Sequence, residues 1–268
     1  MNSISGTDRL SLRLSHGNLS YLHAGRGIPV VFFHGLNGSA ESWLNQLNAL
    51  DCELEMWAWD APGYGASDPG GDALDDLAHT AIAFIEHITE RPINLVGHSM
   101  GGLVAMRVAM LRPELVDRLV LSCTHPGHGL TGGNEADERY QRRLRELSEM
   151  PAQQYGERRA KGMLPAGTRD AVFREVARIA ATARAEGMGR AALAIQRANL
   201  KPDLALIRAP TLVLTADQDT VAPLSKAAPL LEGITDVRHR VFEGLGHAPN
   251  IEDGCRYNAV LTDFLVSR

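Results

Sequence analysis

Short apolar segments recur along the chain and are separated by longer amphipathic segments. Two of them flank His16-Gly17-Asn18, which predicts a hairpin at that turn. The others are β-branched, nearly continuous apolar runs, typical of strands that are covered on both faces. These runs occupy residues 29–35, 53–60, 92–98, 117–123, 210–217 and 236–244. The pattern therefore predicts a sheet of about eight strands.

Helical patterns lie between these predicted strands. Within residues 72–89, apolar side chains recur on one helical face, and Asp72 is placed to act as the N-cap. The apolar positions of that face are Leu74, Leu77, Ala81, Ile85 and Ile88. Further helices are predicted over 99–112, 222–232 and 252–266. The alternation of strand and helix predicts an α/β fold with a mostly parallel, doubly wound sheet.

Residues 125–205 interrupt this alternation because they contain no strand pattern. The segment is helical in character, with breaks at prolines and glycines. The breaks are Pro151, Pro165, Gly167, Gly187 and Gly189. We interpret it as a cap of about four helices inserted over the sheet. The predicted division is a core domain of residues 1–124 and 206–268, and a cap domain of residues 125–205.

Composition excludes several classes of function. The net charge of −5 over 268 residues does not suggest binding to nucleic acid or to an anionic membrane. The first residues lack the apolar stretch of a signal peptide, and no run is long enough to span a bilayer, so a cytoplasmic protein is expected. Cys52, Cys123 and Cys255 are scattered, which favours buried free thiols over a disulfide framework or a zinc site.

The charge is unevenly distributed. Residues 134–201 contain 14 basic and 9 acidic side chains, a net charge of +5, whereas the rest of the chain has a net charge of −10. One interpretation is that arginines solvate the outer faces of the cap helices. The other is that a cationic cap attracts substrates that carry a carboxylate.

The segment NLVGHSMGGLVAM contains a serine, Ser99, between a predicted strand and a predicted helix. Gly97 and Gly101 flank this serine in the G-x-S-x-G spacing, and a tight strand-to-helix turn requires such small neighbours. Free N–H groups at the start of the helix favour a developing anion. The pattern predicts that Ser99 is a nucleophile.

A nucleophilic serine needs a base, and His98 is its direct neighbour. Adjacent side chains at a strand end point in opposite directions, so we expect His98 to face away from the cleft. His247 lies instead in a glycine-flanked loop after the last predicted strand, where open α/β sheets place their chemistry. It is our candidate base. Asp219, or alternatively Asp217, would orient it from the loop after the preceding strand.

The chain resembles an α/β-hydrolase with a helical cap, of the serine esterase and lactonase branch. Besides GHSMGG, the resemblance rests on FFHGLNGSAESW, DAPGYGASD, ADQDTVAP and GLGHAPNIE, and it covers nearly the whole chain. The order Ser99, Asp219, His247 is the order of this family's catalytic triad. The resemblance implies that the backbone N–H groups of Leu36 and Met100 form the oxyanion hole. It assigns DAPGYGASD a supporting role, and it implies neither a metal nor an organic cofactor.

The serine at position 99 disfavours dehalogenase and epoxide hydrolase activity, which use an aspartate there. We expect hydrolysis of a small carboxylic ester or lactone, which can carry a carboxylate, through an acyl-enzyme. A C–C bond hydrolase, an amide hydrolase, a ligand-binding receptor and a perhydrolase remain alternatives. The expected partner is a small-molecule substrate, with no nucleic acid and no membrane, and with a homodimer as one possible assembly. Trp43, Tyr140 and Met163 are candidate pocket residues.

Overall fold

The computed structural model describes residues 8–15, 17–130 and 134–266. The predicted sheet is confirmed as a single eight-stranded sheet with the order β1-β2-β4-β3-β5-β6-β7-β8. Its strands are β1 (Asp8–Leu14), β2 (Gly17–Gly25), β3 (Ile28–Phe33), β4 (Leu54–Trp59), β5 (Ile93–His98), β6 (Val116–Ser122), β7 (Thr211–Ala216) and β8 (Val237–Phe242). β1 and β2 pair antiparallel, as do β2 and β4, and the remaining pairs are parallel. The predicted hairpin joins β1 to β2, although its residue His16 lies outside the described residues.

The helices connect these strands and cover both faces of the sheet. They are α1 (Leu44–Ala49), α2 (Leu74–Ile88), α3 (Met100–Leu111), α4 (Asn134–Glu149), α5 (Ala152–Met163), α6 (Asp170–Ala180), α7 (Ala185–Arg197), α8 (Leu224–Gly233), α9 (Pro249–Glu252) and α10 (Gly254–Val266). Val31 and Phe33 of β3 pack in one apolar cluster with residues of α2 and α3, whereas Val30 and Phe32 pack with residues of α1 and α10. The period of two along a strand therefore produces two separate cores.

The start of α2 differs from the prediction. The N-cap position is Ala73, and the carboxylate of Asp76 accepts a hydrogen bond from the Ala73 N–H at 3.1 Å. The predicted N-cap residue, Asp72, instead forms an ion pair with Arg197 of α7 at 3.3 Å. An acidic residue in the first turn can satisfy the N-cap N–H by reaching back, so an Asp at the cap position itself is not needed.

The predicted helical insertion is present as α4–α7, between β6 and β7. Helix α7 lies directly against the core loop of residues 60–71. A Cβ atom added to Gly187 would overlap the backbone of Gly63, and Gly63 has a φ of +82°. Arg184 donates to the carbonyl of Ser67 at 3.0 Å, and Arg190 donates to the carbonyl of Gly70 at 2.7 Å. This part of the cap is therefore held against the core loop by a close backbone contact and by two arginine hydrogen bonds. The predicted domain boundaries stay a prediction.

The thiols only partly follow the expectation. Cys123 is buried, but Cys52 and Cys255 are exposed, so the prediction of buried thiols was wrong for these two. Cys52 lies in the turn before β4 and Cys255 in the first turn of α10, where the neighbouring elements leave them open. Among the helices in the described part of the chain, none combines the length and apolar content that crossing a bilayer requires.

Candidate active site

Ser99 occupies a strained turn between β5 and α3. Its backbone has φ 53° and ψ −116°, which lies in a region that residues other than glycine rarely adopt. Neighbouring segments hold this conformation: the Ser99 N–H donates to the carbonyl of Ser122 at 2.9 Å, and the Thr124 hydroxyl donates to the Ser99 carbonyl at 2.6 Å. The surrounding fold thus supports a serine that projects from the end of the strand.

The two glycines of the motif have separate steric reasons. A Cβ atom on Gly97 would come within 2.6 Å of the Cα of Gly102, and one on Gly101 would come within 2.7 Å of the Cβ of Phe33. Both positions also face backbone carbonyls at closer range. The close approach of α3 to β5 and β3 therefore requires both glycines.

The structure brings His247 to the Ser99 hydroxyl across 148 positions of sequence. His247 Nδ1 lies 2.8 Å from Asp219 Oδ2, and Nε2 lies 3.1 Å from Ser99 Oγ. Because an ionised carboxylate can only accept, Nδ1 carries the proton, and Nε2 is left to accept from the serine hydroxyl. This is the tautomer in which an imidazole can take the proton of a serine.

Asp219, and not Asp217, is the carboxylate that contacts His247. Its second oxygen accepts the N–H groups of Val221 at 2.8 Å and Ala222 at 2.9 Å. Burial on its own raises the pKa of Asp219, but the hydrogen bonds from His247 and from the two backbone N–H groups outweigh it and lower the pKa. Asp217 accepts the N–H of Gly244 at 2.7 Å and supports the turn that follows β8.

His98 is buried beside His247, with 4.9 Å between the two ring centroids. Its Nε2 lies 2.6 Å from the backbone carbonyl of His247, so this nitrogen donates to that carbonyl. Burial, followed by the proximity of His247, lowers the pKa of His98 to about 3. His98 therefore holds the backbone of the loop of residues 243–248, called the histidine loop below. The ring that contacts Ser99 is that of His247.

A second loop lies beside Ser99, after β3, and the segment DAPGYGASD supports it. His34 Nδ1 donates to the Gly35 carbonyl at 2.8 Å, and its Nε2 accepts the N–H of Ala61 at 3.0 Å. The Tyr64 hydroxyl donates to the Leu36 carbonyl at 3.0 Å. Hydrogen bonds from the Ala61 N–H and the Tyr64 hydroxyl thus hold the turn that carries Leu36.

The predicted oxyanion donors stand at the ends of two adjacent parallel strands. Leu36 follows β3, and Met100 is the first residue of α3 after β5. Neither N–H takes part in a backbone hydrogen bond among the described residues. Both groups are therefore free to donate to an oxygen that develops negative charge near Ser99. Their role in an oxyanion hole stays a prediction.

Ser99 and His247 open into a cavity of about 460 Å³ between the core and the cap, a size that suits a small organic molecule. Met163 lines this cavity as predicted, but Trp43 and Tyr140 are not among the described residues that line it. Trp43 is fully buried, with its ring centroid 4.8 Å from that of Phe32, because it belongs to the core on the other side of the sheet. Tyr140 lies on α4 against Gly189 of α7.

Two contacts that the sequence does not reveal, one from the cap and one from a buried acid, shape the histidine loop. The N–H of His247 donates to the carbonyl of Met163 at 2.8 Å, so the end of α5 fixes the loop from the cap side. Glu252 accepts the N–H groups of Gly246 and Ala248, each at 3.0 Å or less. Burial raises the pKa of Glu252, while these two hydrogen bonds lower it. A glutamate five positions after the histidine was the available sequence signal.

Cys123 adds a third polar group behind the histidine. Its thiol donates to Asp219, burial raises its pKa, and its backbone has a φ of 47°. Ligand atoms of Cys123, Asp219 and His247 lie within 4.8 Å of one another, which is close enough to consider a metal site. A metal there would have to displace the hydrogen bond between Asp219 and His247, so these side chains fit a proton-transfer chain better than a metal centre.

Comparison with known proteins agrees with this architecture. The model of the alpha/beta hydrolase family matches residues 30–260. The "Putative carbamate hydrolase RutD" of Variovorax paradoxus is 30% identical over 249 residues, which cover 89% of this chain and 92% of that protein. Its namesake from Stutzerimonas stutzeri is 26% identical over 248 residues, with 89% and 92% covered.

Solved structures show the same fold at lower identity. The enol-lactonase of Burkholderia xenovorans LB400 superposes with a TM-score of 0.86 at 20% identity, covering 96% of this chain and 100% of that one. A malate-bound thermophilic esterase from Thermogutta terrifontis superposes with a TM-score of 0.86 at 24% identity, covering 97% and 98%. Since the family model spans most of the chain and its fold is shared throughout, this protein belongs to the alpha/beta hydrolase family.

Proposed function

We propose that the protein is a serine hydrolase that cleaves a small carboxylic ester or lactone through an acyl-enzyme. The observation that carries the proposal is the continuous hydrogen-bonded chain from Asp219 through His247 to Ser99, which ends in the cavity. A serine hydroxyl whose proton can pass to the free Nε2 of an imidazole is suited to attack a carbonyl carbon.

In this proposal each group of the site has a role. His247 takes the proton of Ser99 as its oxygen attacks the carbonyl, and Asp219 stabilises the imidazolium that forms. The N–H groups of Leu36 and Met100 donate hydrogen bonds to the carbonyl oxygen and stabilise the negative charge that develops on it. His247 then returns the proton to the leaving alcohol or ring oxygen. In the second half, the same imidazole deprotonates water, which attacks the acyl-enzyme and releases the acid and Ser99.

The similar proteins support hydrolysis at a carbonyl group, but they do not identify which bond to that carbonyl is cleaved. Their names include an enol-lactonase and an esterase, in which a carbon–oxygen bond to a carbonyl is hydrolysed. The RutD relatives are named for carbamates, whose carbonyl carries a nitrogen. Amide-type hydrolysis is therefore the second candidate, since the same triad and oxyanion donors would serve it.

A neutral fluorophosphonate probe tests the nucleophile. We expect stoichiometric labelling of the native protein and none of Ser99→Ala. Ser42→Ala is the matched control because Ser42 also lines the cavity, while its hydroxyl accepts the N–H of Ser39 at 3.2 Å instead of contacting a histidine. Native protein that stays unlabelled would favour a ligand-binding receptor and would refute the proposal.

A turnover panel then identifies the bond. Short esters, lactones, carbamates and amides are compared with vinylogous 1,5-diketones, which report C–C hydrolysis, and peracid formation from acetate and peroxide reports perhydrolase activity. Highest kcat/KM on esters or lactones supports the proposal. A preference for carbamates or amides would establish the second candidate, and a preference for diketones would replace both.

A further inference from the structure

The cavity in front of Ser99 carries an excess of positive charge. The cationic side chains that line it are Arg143, Arg158, Arg159 and Lys226, and no Asp or Glu is among the described residues of its lining. Such a one-sided lining raises the local concentration of anions, and low-dielectric walls strengthen the effect. The cationic character noted for residues 134–201 is thus concentrated, in part, at the cavity itself.

Only part of this positive charge is neutralised by acidic side chains that lie outside the cavity lining. Glu146 of α4 binds Arg158 Nη2 at 3.0 Å and Arg159 Nη2 at 2.6 Å, but its carboxylate does not line the cavity. Arg159 Nε is buried and has no hydrogen-bond partner among the described residues. Lys226 Nζ donates to the carbonyl of Val221 at 2.8 Å. Glu146 therefore positions two guanidinium groups without satisfying all their donors.

Arg143 is the cation with the least compensation. It is half-buried on α4, and no carboxylate pairs with it among the described residues. Burial lowers its pKa, Tyr155 acts against this effect, and Arg159 adds to it. A desolvated guanidinium without an anion is costly, and an anionic ligand would remove this cost.

The arginines lie on the side of the cavity next to the loop of residues 35–38. The Tyr155 hydroxyl donates to Asn37 Oδ1 at 2.8 Å, and the Arg159 guanidinium stands 5.3 Å from the centre of the Tyr155 ring. Val176 and Ile179 from α6 and Ile195 from α7 form an apolar part of the cavity wall. The cavity therefore has a cationic side and an apolar side within reach of one serine.

We propose that Arg143, together with Arg159, forms a subsite for a carboxylate of the substrate that is separate from the bond that is cleaved. The substrate class is then the half-ester of a dicarboxylic acid, or a lactone that carries a free carboxylate. This inference rests on the proposed hydrolase function and adds the charge of its substrate. A guanidinium is well suited to the task because its fixed N–H groups match a carboxylate in two parallel hydrogen bonds.

The test compares two esters with acyl chains of equal length, the mono-4-nitrophenyl ester of glutaric acid and 4-nitrophenyl pentanoate. The measured quantity is the ratio of their kcat/KM values. We expect the native protein to favour the glutarate ester. Arg143→Gln should lower the ratio about 10- to 100-fold, the usual effect of losing a hydrogen bond to a charged group. Arg159→Gln should lower it in the same direction.

Arg142→Gln is the matched control, since this neighbouring arginine is exposed and does not line the cavity, and it should keep the native ratio. Sodium chloride at high concentration should lower the native kcat/KM for the glutarate ester more than for pentanoate, which tests the inference without any variant. An unchanged ratio in Arg143→Gln, or equal salt effects on both esters, would overturn the subsite. Absent fluorophosphonate labelling of the native protein would instead overturn the underlying hydrolase function.

Discussion

Replacing His98 by glutamine separates the two histidines next to Ser99. The glutamine amide can still donate a hydrogen bond toward the His247 carbonyl, but it cannot be protonated in the pH range of interest. The native imidazole donates to that carbonyl over 2.6 Å and is almost fully buried. The perturbation therefore removes one buried titrating group while keeping a donor in place.

The magnitude follows from the pKa. In the folded protein, burial lowers the pKa of His98 to about 3, against a usual value of about 6.5 in an unfolded chain. Between these values the unfolded state binds one more proton, so folding stability decreases as pH falls, by about 1.4 kcal/mol per pH unit at full effect. From pH 6.5 to pH 4.5 the loss amounts to about 2 kcal/mol.

Urea unfolding followed by tryptophan fluorescence at pH 6.5, 5.5 and 4.5 measures this slope in the native protein and in His98→Gln. His79→Gln, which removes a surface histidine of α2, is the matched control. The buried His125, whose pKa burial and the nearby His128 lower to about 3, is present in all three proteins and cancels from the comparison. We expect the native advantage over His98→Gln to shrink by about 2 kcal/mol across this range.

Parallel stability curves for the native protein and His98→Gln would refute the reasoning, because they would mean that His98 is already charged or hydrated in the fold. Turnover gives an independent check. A positioning residue should affect kcat moderately and keep the shape of the pH–rate profile. A loss in His98→Gln as large as that in His247→Ala would mean that the base had been assigned to the wrong histidine.

Three further predictions address the turn at Ser99 and the loops around it. Ser99→Ala and His247→Ala should each lower kcat about 10³- to 10⁶-fold, and the double variant hardly further, because the residues act as a unit; additive losses in the ester assay would contradict this. Gly101→Ala should lower the melting temperature by several degrees in calorimetry, because its Cβ would collide with the backbone of Phe33; an unchanged melting temperature would count against the tight packing. Glu252→Gln should cost about 1–3 kcal/mol in urea unfolding, because the Gly246 N–H, which lies 2.9 Å from Oε2, would then face an amide NH₂ group instead of an acceptor, and an equally stable variant would show that the carboxylate is dispensable.

The parts of the fold that the sequence predicts well are those with local causes. The run before Ser99 is apolar because β5 is buried on both faces, and Gly97 and Gly101 are needed within the same turn. His247 and Asp219 could be located because each lies in the loop that follows a strand, and the ends of parallel strands meet at one edge of the sheet. No knowledge of distant contacts was required for these assignments.

The parts that were missed depend on contacts between distant segments. The sequence placed His98 on the far side of the turn, but its ring reaches a carbonyl 149 positions away. Trp43 could not be assigned between core and cavity, since a large aromatic residue suits both and only the packing against Phe32 decides. Arg143 was one basic residue among many in the cap, and its missing carboxylate partner is visible only in three dimensions.

The contact between Gly63 and Gly187 bears on how the cap could be exchanged or redesigned. Because these backbones touch, α7 cannot be shifted or given a larger residue at this point without separating from the core loop. Helices α4 and α5, which carry the arginines of the cavity, lack such a glycine-to-glycine contact with the core among the described residues. A library that alters substrate preference should therefore vary α4 and the part of α5 before Met163. It should keep Gly63, Gly187 and the contact of Met163 with His247 unchanged.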